Sequence, residues 1–319
     1  MILVTGAAGF AGSHLLDQLA GDDASGLIVA WERPGSARAH AKMAARVRWD
    51  AVDVLDRAAV AAAVARARPS VVFHCAGAAH VGRAWNGGES TFAINVRGTQ
   101  FLLEALHREG GAASVLVPSS AMIYRPSPEP LDEDHALAPP NPYGLSKLAQ
   151  EMLSVRANGG AVQVCVARAF NHVGPRQDPS FVVSDFARQI ARIEAGLAES
   201  EIVVGNLEAR RELTDVRDTV RAYRDLARHG QPGRPYNVSS GVAVSIGDLL
   251  ERLLARARAR IRVRIDPARL RPNDVPVLVG DSTRIREEIG WKPIIPLDRT
   301  LDDVVEYWRT EVRGQSPQF

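Results

Sequence analysis

The sequence is poor in cysteine, in aromatic residues and in net charge. Only two of its 319 residues are cysteines, Cys75 and Cys165, and both stand in apolar runs typical of strands. We therefore expect buried thiols in a reducing compartment and no disulfide pair. Basic and acidic residues nearly balance, 39 against 37, so the composition gives no reason to expect a nucleic-acid partner.

Long hydrophobic runs are also missing from the sequence. No apolar stretch approaches the roughly 18 residues that a membrane-spanning helix needs, so no membrane partner is expected. The first residues, Met1–Val4, already have the pattern of a strand, which predicts a chain without a signal peptide. We therefore expect a cytoplasmic protein with one large hydrophobic core or two smaller ones.

Short apolar runs alternate with helical patterns through the first half of the chain. Strands this apolar, alternating with helices, predict an α/β fold with a doubly wound parallel sheet covered on both faces. The predicted strands are Met1–Val4, Leu27–Trp31, Val47–Ala51, Val71–His74, Ser114–Pro118 and Val162–Ala167. The predicted helices are Ala11–Leu19, Ala58–Ala67, Gly88–His107 and Tyr143–Val155.

The texture of the sequence changes after Phe170, where glycine and proline become frequent and recognisable strands become fewer. This change predicts a smaller C-terminal α/β domain that binds the substrate. We expect a first domain at 1–171, with 214–239 packing back onto it, and a second domain formed by 172–213 and 240–319. The basic run Ala255–Arg264 fits a solvated helix face, with an anion site as the alternative.

Three glycines at three-residue steps follow the first predicted strand, in the segment TGAAGFAGSHLL. Gly6 permits a tight turn, Gly9 lets the backbone approach a pyrophosphate, and Gly12 allows close packing of strand and helix. The helix N-terminus then offers unpaired N–H groups and a positive dipole end to the phosphates. We therefore predict a dinucleotide site here, with Phe10 and Ala11 among its contacts.

The end of the second predicted strand bears on the choice between NAD and NADP. Glu32 lies 20 residues after Gly12, where an acid binds the ribose hydroxyls and repels a 2′-phosphate, whereas the adjacent Arg33 favours that phosphate. The two residues conflict, and we favour NAD(H). Asp53, next to Val54, either contacts the adenine amino group or caps the following helix.

A tyrosine and a lysine stand four residues apart in the segment NPYGLSK, as Tyr143 and Lys147. On a helix they share one face, and a nearby ammonium lowers the pKa of a phenol, which suits proton exchange with a carbonyl or alcohol. The preceding strand ends in Ser119 and Ser120, and we assign the catalytic hydroxyl to Ser120. Together with the glycine-rich loop, these residues predict a reductase site.

The sequence resembles the extended short-chain dehydrogenases/reductases that act on nucleotide sugars. The resemblance covers nearly the whole chain through TGAAGFAG, HCAGAAHV, INVRGT, SSAMIY, YGLSK, RAFNHVGP, RRELTDVRD and RPNDVP. It implies a Rossmann-type fold and a Ser120–Tyr143–Lys147 triad, with Asn95 supporting the lysine through a water network. A side-chain bond of Asn95 within its own helix is the alternative. Further cofactor contacts implied by the resemblance are Cys75, Ala76, Gly77 and Phe170.

Within this family, the chain is most similar to the GDP-6-deoxy-4-keto-D-mannose reductases and the GDP-mannose 4,6-dehydratases. That similarity implies a pocket for a nucleotide-diphosphate sugar, with arginines binding the pyrophosphate. Such dehydratases carry a glutamate two residues after the catalytic Ser or Thr, but this chain has Met122 there, which disfavours dehydration. The implied pocket residues are His80, Ser120, Asn171, Gly205, Asn206, Arg211, Arg271 and Asp274.

The sequence therefore predicts an NAD(P)H-dependent 4-ketoreductase acting on a nucleotide-linked 4-keto-6-deoxyhexose that is GDP-linked. One alternative is a nucleotide-sugar 4-epimerase with tightly bound NAD. The other is a catalytically idle dinucleotide-binding regulator, against which the complete Ser/Tyr/Lys set argues. The predicted helices Gly88–His107 and Tyr143–Val155 resemble those of the family's four-helix dimer interface, so we expect a homodimer.

Overall fold

A computed structural model of the protein describes residues 1–22, 26–35, 45–79, 88–269 and 277–315. Its strands are β1 (Ile2–Thr5), β2 (Ile28–Glu32), β3 (Val47–Ala51), β4 (Val71–His74), β5 (Ala113–Ser120), β6 (Val162–Ala169), β7 (His172–Val173), β8 (Glu201–Val204), β9 (Arg210–Glu212), β10 (Thr214–Asp215), β11 (Pro235–Val238), β12 (Ala243–Ser245), β13 (Arg262–Ile265) and β14 (Val277–Leu278).

The longer helices begin and end close to the predicted bounds, with one irregularity. Helix α3 runs through Gly88–Phe92, passes into a π-helical turn at Ala93–Arg97 and continues as Gly98–Glu109. The others are α1 (Phe10–Gly21), α2 (Arg57–Ala67), α4 (Pro142–Ala157), α5 (Val182–Glu194), α6 (Val216–His229), α7 (Ile246–Leu254), α8 (Thr283–Ile289) and α9 (Leu297–Gln315), with 3₁₀ turns at Ala121–Ile123 and Pro267–Arg269.

Seven strands form one parallel sheet in the order β11-β6-β5-β4-β1-β2-β3. The chain winds outward from β1 in one direction through β2 and β3, and from β4 in the other through β5, β6 and β11. The order therefore reverses between β1 and β4, and the crevice beyond the carboxyl ends of these two strands is where such sheets bind ligands. The doubly wound α/β fold is confirmed.

Apolar residues at helical spacing cover both faces of this sheet. On one face α1 packs beside α6, and their side chains, such as Leu15, Leu19 and Tyr223, are fully or almost fully buried. On the other face α2 packs beside α3, with Val60 and Val64 in contact with the strands. Because neighbouring strand residues point to opposite faces, the apolar strands supply both cores at once.

The C-terminal half contributes a third core and also completes the large sheet. Helices α5, α7 and α9 pack around β8 through buried residues such as Ile190 and Leu249, whereas β11, from the segment 214–239, pairs with β6 in the large sheet. The expected helix face at Ala255–Arg264 is wrong, because α7 ends at Leu254 and β13 begins at Arg262. Arg256 of this run pairs with Asp298 and Asp302 of α9. Within the described parts of the chain, no helix is long and apolar enough to cross a membrane.

Both cysteines are free thiols, as expected, but only Cys165 is buried. Cys75 is partly exposed because it leaves β4 at the mouth of the crevice. Burial around each thiol nevertheless raises its pKa to about 12.

A buried ion pair fixes α4 against the sheet. Arg168 of β6 and Glu151 of α4 approach to 2.6 Å, with each side chain 5% exposed. A second guanidinium nitrogen of Arg168 donates to Tyr124 Oη (2.9 Å) and to the carbonyl of Glu133 (2.7 Å). A buried pair of this kind needs such additional hydrogen bonds to offset the desolvation of both charges.

Replacing Glu151 with alanine is expected to lower the free energy of unfolding by about 3–5 kcal/mol, because it leaves the Arg168 charge buried and unpaired. The measurement is urea unfolding followed by circular dichroism. Glu109→Ala is the control: Glu109 pairs with Arg68 at 2.7 Å, but the arginine side chain is 78% exposed, so a loss below about 1 kcal/mol is expected. Equal losses in the two variants would contradict this account.

Candidate active site

The glycine-rich turn joins the two loops that border the crevice. Gly6 has φ +62°, and a Cβ there would lie 2.6 Å from the backbone of Ala76, in the loop after β4. A Cβ on Gly12 would lie 2.2 Å from the carbonyl oxygen of Gly6. Both glycines are therefore required by close backbone approach, as the sequence predicts.

Gly9 differs from the other two glycines because an added Cβ would meet a single close neighbour and would not overlap the backbone. The nearest atom to an added Cβ is the Gly6 oxygen, at 3.1 Å. Gly9 is the N-cap of α1, no side chain caps this helix, and its first turn has no acidic residue. The N–H groups in the first turn of α1, beginning with Phe10 and Ala11, precede the first i to i−4 hydrogen bond of the helix and thus suit a pyrophosphate. The Phe10 ring stacks on His172, with centroids 5.7 Å apart.

The ends of β2 and β3 form the side of the crevice where the adenosine is expected. Glu32 is 6% exposed, while Arg33, the next residue, is exposed. The carboxylate of Asp53 accepts a hydrogen bond from the N–H of Leu55 (2.9 Å). The N-cap of α2 is Asp56 instead, so the alternative role of Asp53 as helix cap is wrong.

Of two further expected cofactor contacts, Phe170 is enclosed by packing, whereas Val54 is only half-buried. The Val54 side chain lies 3.0 Å from the position that a Cβ would take on Gly98. Phe170 is 2% exposed, in a cluster with Tyr124 and Leu278. Its ring lies 2.6 Å from the position of a Cβ on Gly280.

The structure brings the three predicted catalytic residues to the carboxyl ends of the central strands. Ser120 is the last residue of β5, and Tyr143 and Lys147 lie in the first turns of α4. The Asn141 side chain caps α4 by accepting from the N–H of Gly144 (2.8 Å). A Cβ on Gly144 would lie 2.1 Å from the carbonyl oxygen of Met122, so glycine is needed to seat α4 against the end of β5.

Ser119 and Ser120 point to opposite faces of the sheet because they are consecutive in β5. Ser120 hydrogen-bonds Tyr143, and its Oγ accepts from the N–H of Met122 (3.2 Å). This geometry supports Ser120, and not Ser119, as the catalytic hydroxyl.

The pKa of Tyr143 differs from the value expected for a phenol beside Lys147. Burial raises the pKa of Tyr143 above its ordinary value, and the hydrogen bond with Ser120 offsets part of that increase. The expected lowering of this pKa by Lys147 is therefore not present in this state. The pKa of Lys147 itself falls to about 8, because burial disfavours the ammonium, while Glu151 and Cys75 oppose the shift.

Asn95 lies in the π-helical turn of α3 and ties two elements of the site together. Its Oδ1 accepts from the N–H of Ala78 (2.8 Å), and its Nδ2 donates to Ser146 Oγ on α4 (2.9 Å). These partners lie outside its own helix, so the alternative reading of Asn95 is wrong. Gly77, which precedes Ala78 in the loop after β4, lies close to the Asn95 side chain: an added Cβ would be 3.1 Å from Asn95 Oδ1.

A buried polar chain, from Thr5 to Lys147, was missed by the sequence analysis. His74 contacts Thr5 Oγ1 through Nδ1 (2.8 Å) and Thr99 Oγ1 through Nε2 (2.9 Å). Gln150 donates to the same Thr99 oxygen (2.8 Å) and accepts from Lys147. Two features of the sequence could have indicated this chain: the polar residues that end β1 and β4, and the three-residue spacing between Lys147 and Gln150.

The substrate side of the crevice is described only in part. His80, Arg271 and Asp274 lie outside the described residues. Asn171 follows β6, and its carbonyl accepts from the N–H of Thr214 (3.0 Å). Gly205 and Asn206 follow β8, and Arg211 lies in β9, where its guanidinium donates to the carbonyl of Arg210 (2.8 Å).

These features define a dinucleotide-dependent enzyme of the short-chain dehydrogenase type, and comparison with known proteins agrees. The family model described as GDP-mannose 4,6 dehydratase matches residues 3–304. The chain belongs to this family, within the extended short-chain dehydrogenases/reductases, which confirms the resemblance stated from the motifs.

Individual relatives include both a reductase and an epimerase. The chain is 37% identical over 251 residues to GDP-6-deoxy-D-mannose reductase from Pseudomonas aeruginosa, covering 77% of this chain and 83% of that protein. It is 31% identical to UDP-glucose 4-epimerase from Mycolicibacterium smegmatis, covering 97% and 98%. The structure of RMD from Pseudomonas aeruginosa complexed with NADPH superimposes with a TM-score of 0.85 at 32% identity, covering 97% and 99%.

Gly9→Ala is expected to weaken dinucleotide binding about tenfold or more, because the methyl group fills the space that the pyrophosphate needs. Gly9 has φ −75°, which alanine adopts readily, and the added Cβ would lie 3.1 Å from the Gly6 oxygen, so the loss of stability should be much smaller than in Gly12→Ala. The measurement is fluorescence titration with NADH, alongside thermal unfolding.

Gly12→Ala provides the contrast, because its Cβ would strike the Gly6 carbonyl. It is expected to destabilise the fold by about 1–3 kcal/mol. Full NADH affinity in Gly9→Ala would show that the dinucleotide does not follow this turn.

Proposed function

We propose that the protein is an NAD(P)H-dependent reductase of the C4 keto group of a nucleotide-linked 4-keto-6-deoxyhexose, with GDP-4-keto-6-deoxy-D-mannose as substrate. The observation that carries this proposal is the Ser120–Tyr143–Lys147 set at the end of β5 and the start of α4, beside the switch point and an N-terminus of α1 suited to a pyrophosphate. The similarity to GDP-6-deoxy-D-mannose reductase supports the GDP-linked sugar.

The reduced dinucleotide, when bound, supplies the hydride equivalent that reduces the carbonyl carbon. Gly6, Gly9 and Gly12 would hold its pyrophosphate, and Lys147 its nicotinamide ribose. Glu32, buried at the end of β2, would accept from the adenosine ribose hydroxyls, which favours NAD(H) over NADP(H).

Tyr143 would donate its phenolic proton to the oxygen at C4, and Ser120 would donate a hydrogen bond to the same oxygen. The products are then the C4 alcohol and the oxidised dinucleotide, and solvent returns the proton to Tyr143. A phenol pKa raised by burial keeps the proton on Tyr143 until the carbonyl oxygen becomes basic.

Met122 argues against dehydration, although the family is described by its dehydratases. It stands two residues after Ser120, its carbonyl abuts Gly144, and its sulfur contacts the amide of Asn141 at 3.7 Å. A thioether cannot remove the C5 proton that elimination of water requires. The chain would therefore act on a keto sugar that is already dehydrated.

The second candidate is a nucleotide-sugar 4-epimerase, favoured by the match to UDP-glucose 4-epimerase along 97% of the chain. The same triad would oxidise C4 and then reduce it from the other face. This enzyme would retain NAD through purification and consume no cofactor, whereas a reductase oxidises one reduced dinucleotide per sugar.

The wild-type protein is expected to oxidise NADH stoichiometrically when mixed with GDP-4-keto-6-deoxy-D-mannose. The measurement is the loss of nicotinamide absorbance, and comparison of kcat/KM for NADH and NADPH tests the predicted preference for NADH. No oxidation, with NAD found bound to the purified protein, would favour the epimerase instead.

Tyr143→Phe is the matched variant for this assay, because it removes only the phenolic oxygen. Turnover should fall by a factor of about 10² or more, the usual contribution of general acid catalysis, while NADH affinity stays within about twofold. Dinucleotide binding without turnover in both proteins, across a panel of nucleotide sugars, would point to a regulator.

We also propose a homodimer formed through α3 and α4. On α4, Leu145 and Met152 are 53% and 64% exposed, and they lie two turns apart on one face. Phe92, on the adjacent α3, is also exposed. A contiguous apolar face on paired helices is typical of a subunit interface.

Light scattering is expected to give about twice the 34.5 kDa chain mass for the wild-type protein. Met152→Glu places a charge in the expected interface and should give the monomer mass. Ile294→Glu, at a residue that is also 64% exposed but lies outside α3 and α4, is the control and should remain dimeric. A monomeric wild-type protein at working concentration would contradict the proposal.

A further inference from the structure

The ammonium of Lys147 has two acceptors supplied by the protein. Its Nζ donates to the carbonyl of Pro118 in β5 at 2.6 Å and to the side-chain oxygen of Gln150, three residues further along α4. Gln150 is fully buried. A buried ammonium needs such acceptors, since it has lost its water.

The orientation of the Gln150 amide is determined by the hydrogen bonds around it. Thr99 Oγ1 lies 2.6 Å from the carbonyl of Asn95 and must donate its only proton there. Thr99 Oγ1 therefore accepts from Gln150 Nε2 (2.8 Å). With its nitrogen held by Thr99, the amide presents its oxygen to Lys147.

His74 completes this arrangement in a single tautomer. Because Thr99 Oγ1 has no further proton, His74 Nε2 donates to it, and His74 Nδ1 accepts from the hydroxyl of Thr5. Thr5 Oγ1 in turn accepts from the N–H of Ala76 (3.1 Å). The chain thus runs from the loop after β4 to the lysine with a defined donor and a defined acceptor at each contact.

We propose that Gln150 is a positioning residue that keeps Lys147 charged and directed at the dinucleotide, with Thr99 and His74 fixing the amide in the required orientation. This inference rests on the proposed role of Lys147 at the nicotinamide ribose. Gln150 acts through Lys147 and makes no contact with the reacting atoms.

The other groups around Lys147 are few and their charges are defined. Burial opposes the ammonium and lowers the pKa of Lys147 to about 8, whereas the Glu151 carboxylate favours it. The Cys75 thiol stays neutral, because burial raises its pKa to about 12. Glu151 is already paired with Arg168. Burial and Lys147 lower the pKa of His74 to about 3, so His74 stays neutral at neutral pH, and Tyr143 stays protonated there.

The test uses two substitutions of similar volume with opposite electrostatic effects. Gln150→Met removes the acceptor and should disfavour the ammonium, while Gln150→Glu places a carboxylate beside it and should favour the ammonium. The readout is the NADH affinity of the full chain from pH 6 to 10, measured by fluorescence without any sugar.

Wild-type affinity should fall as pH rises through the pKa of Lys147, because the neutral amine loses its charge-assisted contact with the ribose. The midpoint of this fall is expected to move down by about one pH unit in Gln150→Met and up by about one in Gln150→Glu. Gln150→Glu keeps the shape of the side chain, although it loses the donor to Thr99, so it carries the test even where the methionine variant does not fold.

Ser154→Ala is the matched control. Ser154 is buried on the same helix, and its hydroxyl donates to the backbone carbonyl of Gln150 (2.7 Å), not to the side-chain amide. Its substitution should therefore leave the midpoint unchanged. If both Gln150 variants bound NADH more weakly at every pH but kept the wild-type midpoint, Gln150 would act only through packing, and the inference would be overturned. A wild-type NADH affinity that does not depend on pH would overturn it as well. Because no sugar is used, failure of the proposed 4-ketoreductase reaction would be seen separately.

Discussion

The burial of one ammonium group, that of Lys147, governs the architecture of the candidate site. A charge removed from water costs several kcal/mol unless the protein replaces its hydration. Here a strand carbonyl and the amide of Gln150 do so, and the Glu151 carboxylate, held by Arg168, lies behind them. The position of α4 must be exact for these contacts, which explains the lack of a side chain at Gly144, where α4 meets the end of β5.

The hydrogen bonds that support the buried ammonium also connect Lys147 to the loops after β1 and β4. Gly6 and Ala76 bring the turn after β1 against the loop after β4, and the buried side chains of Thr5 and His74 lie directly beneath that contact. A shift of either loop would therefore disturb the hydrogen bonds that reach Lys147. The loops that are expected to bind the cofactor are therefore connected to helix α4 through one set of packed polar groups at the switch point of the sheet.

Most of the fold could be predicted from the sequence, because each central strand is an apolar run and each covering helix has apolar residues at helical spacing. The glycine loop and the Ser/Tyr/Lys set were also accessible, since their spacing is local. The π-helical turn at Ala93–Arg97 and the Thr99–Gln150 contact were not. The Thr99–Gln150 contact joins residues 51 positions apart in the chain, and single-sequence periodicity carries no such information.

The predicted effect of Lys147 on Tyr143 failed for a related reason. Spacing of four residues places two side chains on one face, but it does not say how deeply that face is buried, and here desolvation determines both pKa values. The outcome bears on the direction of catalysis. A phenol that keeps its proton is ready to donate to a carbonyl when the neutral, reduced dinucleotide is bound. An epimerase must begin by removing a proton from an alcohol, and needs the positive charge of an oxidised nicotinamide to favour the phenolate. The electrostatics of the chain alone therefore suit the reductive direction.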